Sequence, residues 1–261
     1  SKKIVLLSTL DVRNAFNSVR WADMIAALEI RFKIPSYLVD MIRSYLSDRR
    51  LTYHAEGEKQ TIEVTLGAAQ GSILAPELWN ISYDEILRVE MNPECYLVGY
   101  ADDVAAVIAG RTLDELRRKL NQVMIRCKQW LDMHGLKLAT EKTELVLIPQ
   151  KRIPLNVDMQ VLSQTIRTQD SVKYLGMMLD SRLNFTAQLR YSANKAAKLT
   201  SSLSRLMANI GGPTENKRKL IMATTQSVLL YGAEIWADST KKLCRAKLIS
   251  KVQRTTSLRV T

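Results

Sequence analysis

The sequence predicts an α+β protein: an antiparallel sheet backed by helices in residues 1–180, followed by an all-α segment in residues 181–261. Three observations lead there. Short β-prone runs at residues 4–10, 96–98, 104–108, 145–148 and 172–179 alternate with longer stretches of helical periodicity. Thr112-Leu-Asp-Glu115 is a capping box that opens an amphipathic helix, with Leu113, Leu116, Leu120, Met124, Cys127 and Leu131 at helical spacing. Beyond Asp180 the pattern turns almost wholly helical, which puts a domain boundary there.

Taken in order, the apolar run at residues 4–10 reads as a buried strand that delivers Asp11 at its C-terminal end. Residues 21–46 are helical and broken at Pro35. Residues 51–66 alternate apolar and polar around Glu56-Gly57-Glu58, a hairpin signature. A further helix is expected from Pro76 to about Val89, with Leu78, Ile81, Ile86 and Val89 on its apolar positions. The runs at 96–98 and 104–108 flank Tyr100-Ala-Asp-Asp103, which places that tetrapeptide at a hairpin tip.

Composition narrows the function. Cys95, Cys127 and Cys244 are odd in number and far apart, so neither a disulfide framework nor a zinc site is indicated. No run is long and apolar enough to cross a membrane, and none reads as a signal peptide. The chain opens on Ser1 almost directly into an apolar strand, which reads as a fragment. The net charge is +12, and its location matters: residues 1–180 hold 23 Lys/Arg against 23 Asp/Glu, whereas residues 181–261 hold 15 against 3. A basic face of that density suits a polyanion, although solvated faces and membrane-surface proteins share the composition.

Asp102 and Asp103 are the residues that carry chemistry. A lone Asp pair between strands is ordinarily a turn. Adjacent carboxylates repel, however, and bound cations relieve that repulsion; magnesium is suited to hard oxygen ligands. A third carboxylate at the end of a neighbouring strand completes a two-metal site, and Asp11 is placed to be that ligand.

The flanking sequence decides for the metal reading. Leu10-Asp-Val-Arg-Asn-Ala-Phe-Asn-Ser-Val19, Gly67-Ala-Ala-Gln-Gly-Ser-Ile-Leu-Ala-Pro76 and Tyr100-Ala-Asp-Asp103 come in that order. Gly135-Leu-Lys-Leu-Ala-Thr-Glu-Lys-Thr-Glu144 and Lys173-Tyr-Leu-Gly176 follow, then Leu203-Ser-Arg-Leu-Met207, Leu230-Tyr-Gly-Ala233 and Ile235-Trp236. This succession resembles the reverse transcriptases of non-LTR (LINE-type) retrotransposons over essentially the whole chain. The resemblance implies a polymerase palm with a ferredoxin-like core and part of the fingers in residues 1–180, and a basic helical thumb or connection in residues 181–261. It implies that Asp11, Asp102 and Asp103, assisted by the Val12 carbonyl, hold two Mg2+ ions, for which Mn2+ can substitute. By the same resemblance Phe16 is an aromatic gate against a ribose 2′-OH, and Gln70 and Gly71 lie along nucleotide and template. Lys142 lies near the triphosphate, and Tyr174, Leu175 and Gly176 form a primer grip.

The implied partners are an RNA template, a DNA primer or target DNA, dNTPs, and the remainder of a retrotransposon polyprotein: fingers and an endonuclease. The implied location is the nucleus, with a cytoplasmic ribonucleoprotein stage. The N-terminal fingers segment that precedes Asp11 in the family is missing from this sequence, as is any C-terminal Cys/His knuckle. Two further readings stay open: an inactive or domesticated fragment that binds nucleic acid, and an RNA-dependent RNA polymerase, against which Phe16 weighs. A purely structural module is a third, with only the incompleteness of the machinery in its favour.

Overall fold

The structure, a computed structural model, describes residues 3–69, 71–149, 153–205 and 214–260, with the side chains of residues 259 and 260 excepted. It divides into two compact units, Ser1–Thr168 and Gln169–Thr261. The boundary expected near Asp180 and this division assign the segment between them differently.

The first unit is built on a four-stranded antiparallel sheet in the order Cys95–Tyr100, Asp103–Gly110, Ile4–Leu10, Leu145–Pro149. The central strand Ile4–Leu10 is a nearly continuous apolar run because it is covered on both faces: Ile4, Leu6, Leu7, Ser8 and Leu10 are all buried. Its register against Asp103–Gly110 pairs Leu10 with Val104, and against Leu145–Pro149 it pairs Ile4 with Pro149. Cys95–Tyr100 and Asp103–Gly110 form the expected hairpin; Tyr100 pairs with Asp103, so the turn is Ala101-Asp102, with Ala101 at φ +53°.

The helix Leu113–Met133 follows from its sequence signal. Thr112 Oγ1 accepts from the Glu115 N–H at 3.2 Å, and Glu115 Oε2 accepts from the Arg111 N–H at 2.7 Å. Leu116, Leu120, Val123, Met124, Cys127, Trp130 and Leu131 are buried on one stripe and join the sheet's core. The helical stretch before Pro35 runs as Trp21–Ala26 and then widens into a π-helical turn, Ala27–Arg31; Ser36–Leu46 begins immediately after the proline. The hairpin Arg50–Ala55 with Glu58–Glu63 turns at Glu56-Gly57, both at positive φ, and its residues are almost all exposed. The helix expected from Pro76 to Val89 is α-helical over Ala75–Tyr83 and tightens to 3-10 geometry over Asp84–Arg88. A hairpin with no counterpart in the sequence reading, Asp158–Val161 with Gln164–Arg167, buries Met159 and Val161 in the same core.

The second unit opens with a correction. The single strand expected at residues 172–179 is a hairpin, Ser171–Tyr174 with Met177–Asp180, that turns at Leu175-Gly176 with φ of +48° and +79°. Among the described residues the α-helices Thr186–Arg205, Glu215–Leu229, Ala233–Trp236 and Leu243–Val260 follow, with a 3-10 turn at Ala237–Lys241. Their core gathers Met177, Leu189, Ala193, Ala196, Leu229, Trp236, Ile249 and Val252. Between the three long helices Thr200 Oγ1 lies 3.1 Å from Thr225 Oγ1 and 3.2 Å from Thr256 Oγ1, and the Thr200 and Thr256 hydroxyls also reach the Ala196 and Val252 carbonyls, so the buried hydroxyls have partners. Among the described residues no helix is long and apolar enough to cross a membrane.

The cap of Leu113–Met133 supplies a test. Removing its hydroxyl acceptor in Thr112→Ala should lower stability by about 1 kcal/mol in denaturant unfolding. The Glu115 carboxyl is pulled down to about 2, first by the Arg111 N–H and then by the Lys119 ammonium. Its contribution is therefore present above the ordinary carboxylate range and lost as pH falls toward about 2. Glu115→Gln should be less stable than the parent at neutral pH and converge on it at the acid end; a constant gap across that range would remove this account.

Candidate active site

Asp11 is the first residue beyond the strand Ile4–Leu10, and Asp103 is the first residue of its antiparallel neighbour. Pairing Leu10 with Val104 therefore sets the two side by side at one end of the sheet, with Asp102 in the adjoining turn. Asp11 and Asp102 are half-buried and Asp103 is exposed. Desolvation first, then the Asp102 and Asp11 carboxylates, pushes the Asp103 carboxyl above its ordinary range. The Asp102 and Asp11 carboxylates thus act on Asp103.

Lys142 joins them. It ends a single 3-10 turn, Thr140–Lys142, and its Nζ lies 2.6 Å from Asp11 Oδ2. That contact raises the lysine's pKa, so the ammonium stays protonated. The segment that carries Lys142 is anchored to Asp11 through the backbone: Val12–Arg13 pairs with Lys137–Leu138, and the Ala139 N–H donates to the Asp11 carbonyl at 2.9 Å. Alongside, the Arg13 guanidinium pairs with Glu141 at 2.7 Å. Val12 itself is buried and sits in that two-residue ladder.

Phe16 lies in a single helical turn, Ala15–Ser18, entered through Asn14 at φ +47°. Its ring packs at 5.0 Å from Trp79, which stacks at 4.6 Å on Tyr83. A cavity of about 470 Å³ opens here, lined by Phe16, Trp79, Asn80, Tyr83, Tyr100 and Ala101 among others. Tyr83 was not singled out by the sequence reading, yet it marks where the acidic groups converge. Burial first, then Cys127, Asp102, Asp11 and Asp103, pushes its hydroxyl far above the ordinary range, so it remains a neutral O–H beside them. The signal for Trp79 and Tyr83 was their i, i+4 spacing, on a row that the apolar set Leu78, Ile81, Ile86 and Val89 does not include.

Gly71 is exposed at φ +89° with open space where a side chain would stand. Gln70 lies outside the described residues. Tyr174, Leu175 and Gly176 belong to the second unit, where they end one strand and form the hairpin turn. That turn is buttressed from within its own unit: the Tyr231 hydroxyl donates to the Leu175 carbonyl at 2.9 Å, and the Trp236 indole N–H donates to the Tyr231 carbonyl at 2.9 Å. The segment Leu230-Tyr-Gly-Ala233 and Ile235-Trp236 thus has a physical reason to accompany Tyr174-Leu-Gly176, one that the spacing alone did not reveal.

Among the described residues no three His, Cys, Asp or Glu side chains close into a metal-ligand group, and one Asp11 oxygen is engaged by Lys142. The donor chemistry still fits a hard divalent cation, because the three carboxylates offer only oxygen ligands.

Residues 1–179 match the family described as reverse transcriptase (RNA-dependent DNA polymerase). A 115 kDa protein in the type-1 retrotransposable element R1DM of Drosophila melanogaster is 25% identical over 253 residues, covering 96% of this chain and 24% of that protein. The RNA-directed DNA polymerase from the mobile element jockey of the same organism is 23% identical over 273 residues, covering 97% of this chain and 29% of its own length. The chain thus spans about a quarter of the length of these relatives. Among solved structures, apo telomerase from Candida tropicalis truncated from its C-terminal domain superposes with a TM-score of 0.52 at 13% identity, covering 68% of this chain and 34% of that one; this likeness is one of fold.

Two of the positive-φ glycines, Gly71 and Gly176, separate backbone strain from crowding. At Gly71 an alanine meets nothing, so Gly71→Ala should destabilise by about 1–2 kcal/mol through the left-handed backbone alone. At Gly176 the added carbon would lie 3.1 Å from the Tyr231 ring, so Gly176→Ala should lose more, and the excess should shrink when Tyr231 is also truncated. Melting temperatures of the single and double variants measure both.

Proposed function

The chain belongs to the reverse transcriptase (RNA-dependent DNA polymerase) family, and we propose that it is the palm-and-thumb core of a non-LTR retrotransposon polymerase. On this reading it extends a primer 3′-hydroxyl with dNTPs on an RNA template. The observation that carries the proposal is the convergence of Asp11, Asp102 and Asp103 at the end of two paired strands, with Lys142 beside them.

Asp11, Asp102 and Asp103, with the Val12 carbonyl, are the groups to hold two magnesium ions. When bound, such ions activate the attacking hydroxyl and neutralise the charge that builds on the leaving oxygen. The primer 3′-hydroxyl gives up its proton to solvent, and its oxygen bonds to the α-phosphorus as the bond to pyrophosphate breaks. Lys142, kept protonated beside Asp11, is the proton donor to the departing pyrophosphate. Phe16 lines the cavity and packs against Trp79, which supports a role for its ring in denying space to a 2′-OH. Gly71 leaves its side open for close backbone approach by template or nucleotide, with Gln70 as its neighbour in that role. Tyr174, Leu175 and Gly176 serve as primer grip, and the excess of Lys and Arg in residues 181–261 holds the nucleic-acid backbone.

Asp102→Asn or Asp103→Asn should abolish magnesium-dependent templated extension while primer-template affinity, read by filter binding, stays within about threefold, because backbone contacts elsewhere supply most of that affinity. Parallel loss of binding and extension counts against this division of labour. Phe16→Val should raise ribonucleotide incorporation relative to deoxynucleotide, since it removes a clash with one sugar only. If Phe16 is simply core, both sugars lose equally and the melting temperature drops with a destabilisation of about 2–4 kcal/mol.

A further inference from the structure

The second unit carries a cavity of about 490 Å³ between the helices Thr186–Arg205 and Leu243–Val260. Ala193, Ala197, Leu248 and Val252 wall it, with the buried Thr200 and Thr256 also in its lining. We propose that this groove docks an acidic amphipathic helix of a partner protein, whose apolar stripe fills the space between the two helices and whose carboxylates meet Lys247 and Lys251. None of the lining residues comes from the hairpin of residues 171–180 or from Glu215–Leu229, so this surface is apart from the one assigned to the primer. The inference does not depend on the polymerase reading.

The lining runs from Ala193 to Thr200 on one helix and from Lys247 to Thr256 on the other, about 10 and about 13 Å of helix axis. A helix laid along that length presents apolar side chains at i, i+3 or i+4 and i+7. Ala193 and Ala197 add little bulk, which leaves room for its side chains. Leu258, three residues past Thr255 on the same helical face, is 69% exposed, so apolar surface continues beyond the cavity. The groove is also preformed. The Thr200 and Thr256 hydroxyls lie 3.2 Å apart and join its two walls, while Leu189, Ala196, Ile249 and Val252 share one core. An occupant therefore enters without ordering the walls first.

Charge selects the occupant. Lys247 and Lys251 are exposed and four residues apart on one helical face, where like charges repel. No carboxylate lines the cavity among the described residues. A second copy of this unit is a poor source of one. Residues 181–261 hold only Glu215, Glu234 and Asp238 as acids against 15 Lys/Arg, and two of the three are paired, Glu215 with Lys219 at 2.6 Å and Asp238 with Lys241 at 2.8 Å. A nucleic-acid strand answers the lysines but leaves the apolar walls unfilled. An acidic amphipathic helix answers both.

The test is fluorescence anisotropy on the intact chain with labelled synthetic peptides of about 18 residues, long enough to form a helix. One carries Leu at i, i+3, i+4 and i+7 with Glu flanking the stripe, a second has the same composition in scrambled order, and a third has Lys in place of Glu. The first should bind, and the other two should bind roughly tenfold more weakly or worse. Ala197→Leu fills the groove from an exposed helical position and should weaken the first peptide by roughly tenfold while the melting temperature holds. Lys247→Glu/Lys251→Glu should lose the acidic peptide and take up the Lys peptide, an exchange of preference that misfolding does not produce. Equal binding of the ordered and scrambled peptides shows attraction by charge alone and overturns the groove. No binding of the ordered peptide, or binding unchanged in Ala197→Leu, overturns it as well. Displacement of the acidic peptide by an oligodeoxynucleotide that Lys247→Glu/Lys251→Glu no longer binds assigns this face to nucleic acid, which also overturns it.

Discussion

The structure depends first on the antiparallel register between Ile4–Leu10 and Asp103–Gly110. A one-residue slip would turn every side chain of a strand to the opposite face. Here both strands feed the same core, Ile4, Leu6 and Leu10 from one and Val104, Ala106 and Ile108 from the other. Burial therefore holds Leu10 opposite Val104. Asp11 and Asp103 inherit their proximity from that apolar pairing, and the turn at Ala101-Asp102 adds the third acid without further constraint. The hydrophobic effect sets the site's geometry, and the charged groups accept it.

That arrangement concentrates negative charge that a fold without cations must tolerate. It does so in two ways. Lys142 is brought to Asp11 by a chain segment hydrogen-bonded to the Asp11 backbone, so the pairing costs little extra ordering. Tyr83 contributes a hydroxyl held neutral, so the buried wall nearest the acids adds no charge of its own. Asp103 is left exposed, its carboxyl raised first by desolvation and then by Asp102 and Asp11, at the strand end where solvent or a cation can reach it.

Much of this was legible in the sequence, and the failures have physical causes. The strand before Asp11, the hairpin tip at Tyr100-Ala-Asp-Asp103 and the capped helix each carried a local signal that agreed with the tertiary result. The run at residues 172–179 misled because its apolar residues continue through the turn; only Gly176, free to take φ +79°, gave it away. Periodicity misplaced the buried stripe of Ala75–Tyr83, since both Leu78 and Trp79 are buried and Ile81 is only partly so. The hairpin Asp158–Val161 with Gln164–Arg167 is four residues to a strand, too short for alternation to stand out. The ion pair of Lys142 with Asp11 spans most of the first unit in sequence, and no local pattern encodes it.

Behind Phe16 the rings form an unbroken series. Phe16 meets Trp79 at 5.0 Å, Trp79 meets Tyr83 at 4.6 Å, Tyr83 meets Trp130 at 5.8 Å, and Trp130 meets His134 at 4.1 Å. Trp79 is fully buried, and Tyr83 and Trp130 nearly so. A ring backed by flexible aliphatic chains can yield by rotamer changes, whereas a stack of planar groups in a close-packed interior offers few alternative arrangements. Phe16 sits on a four-residue helical turn that could not hold a side chain rigidly by itself. The stack therefore supplies the stiffness that the local backbone lacks, and it ties Phe16 to Leu113–Met133, the longest helix of the unit. On the proposed reading Phe16 discriminates by occupying space and must not retreat under pressure, and the resistance comes from Trp79, Tyr83 and Trp130 stacked behind it.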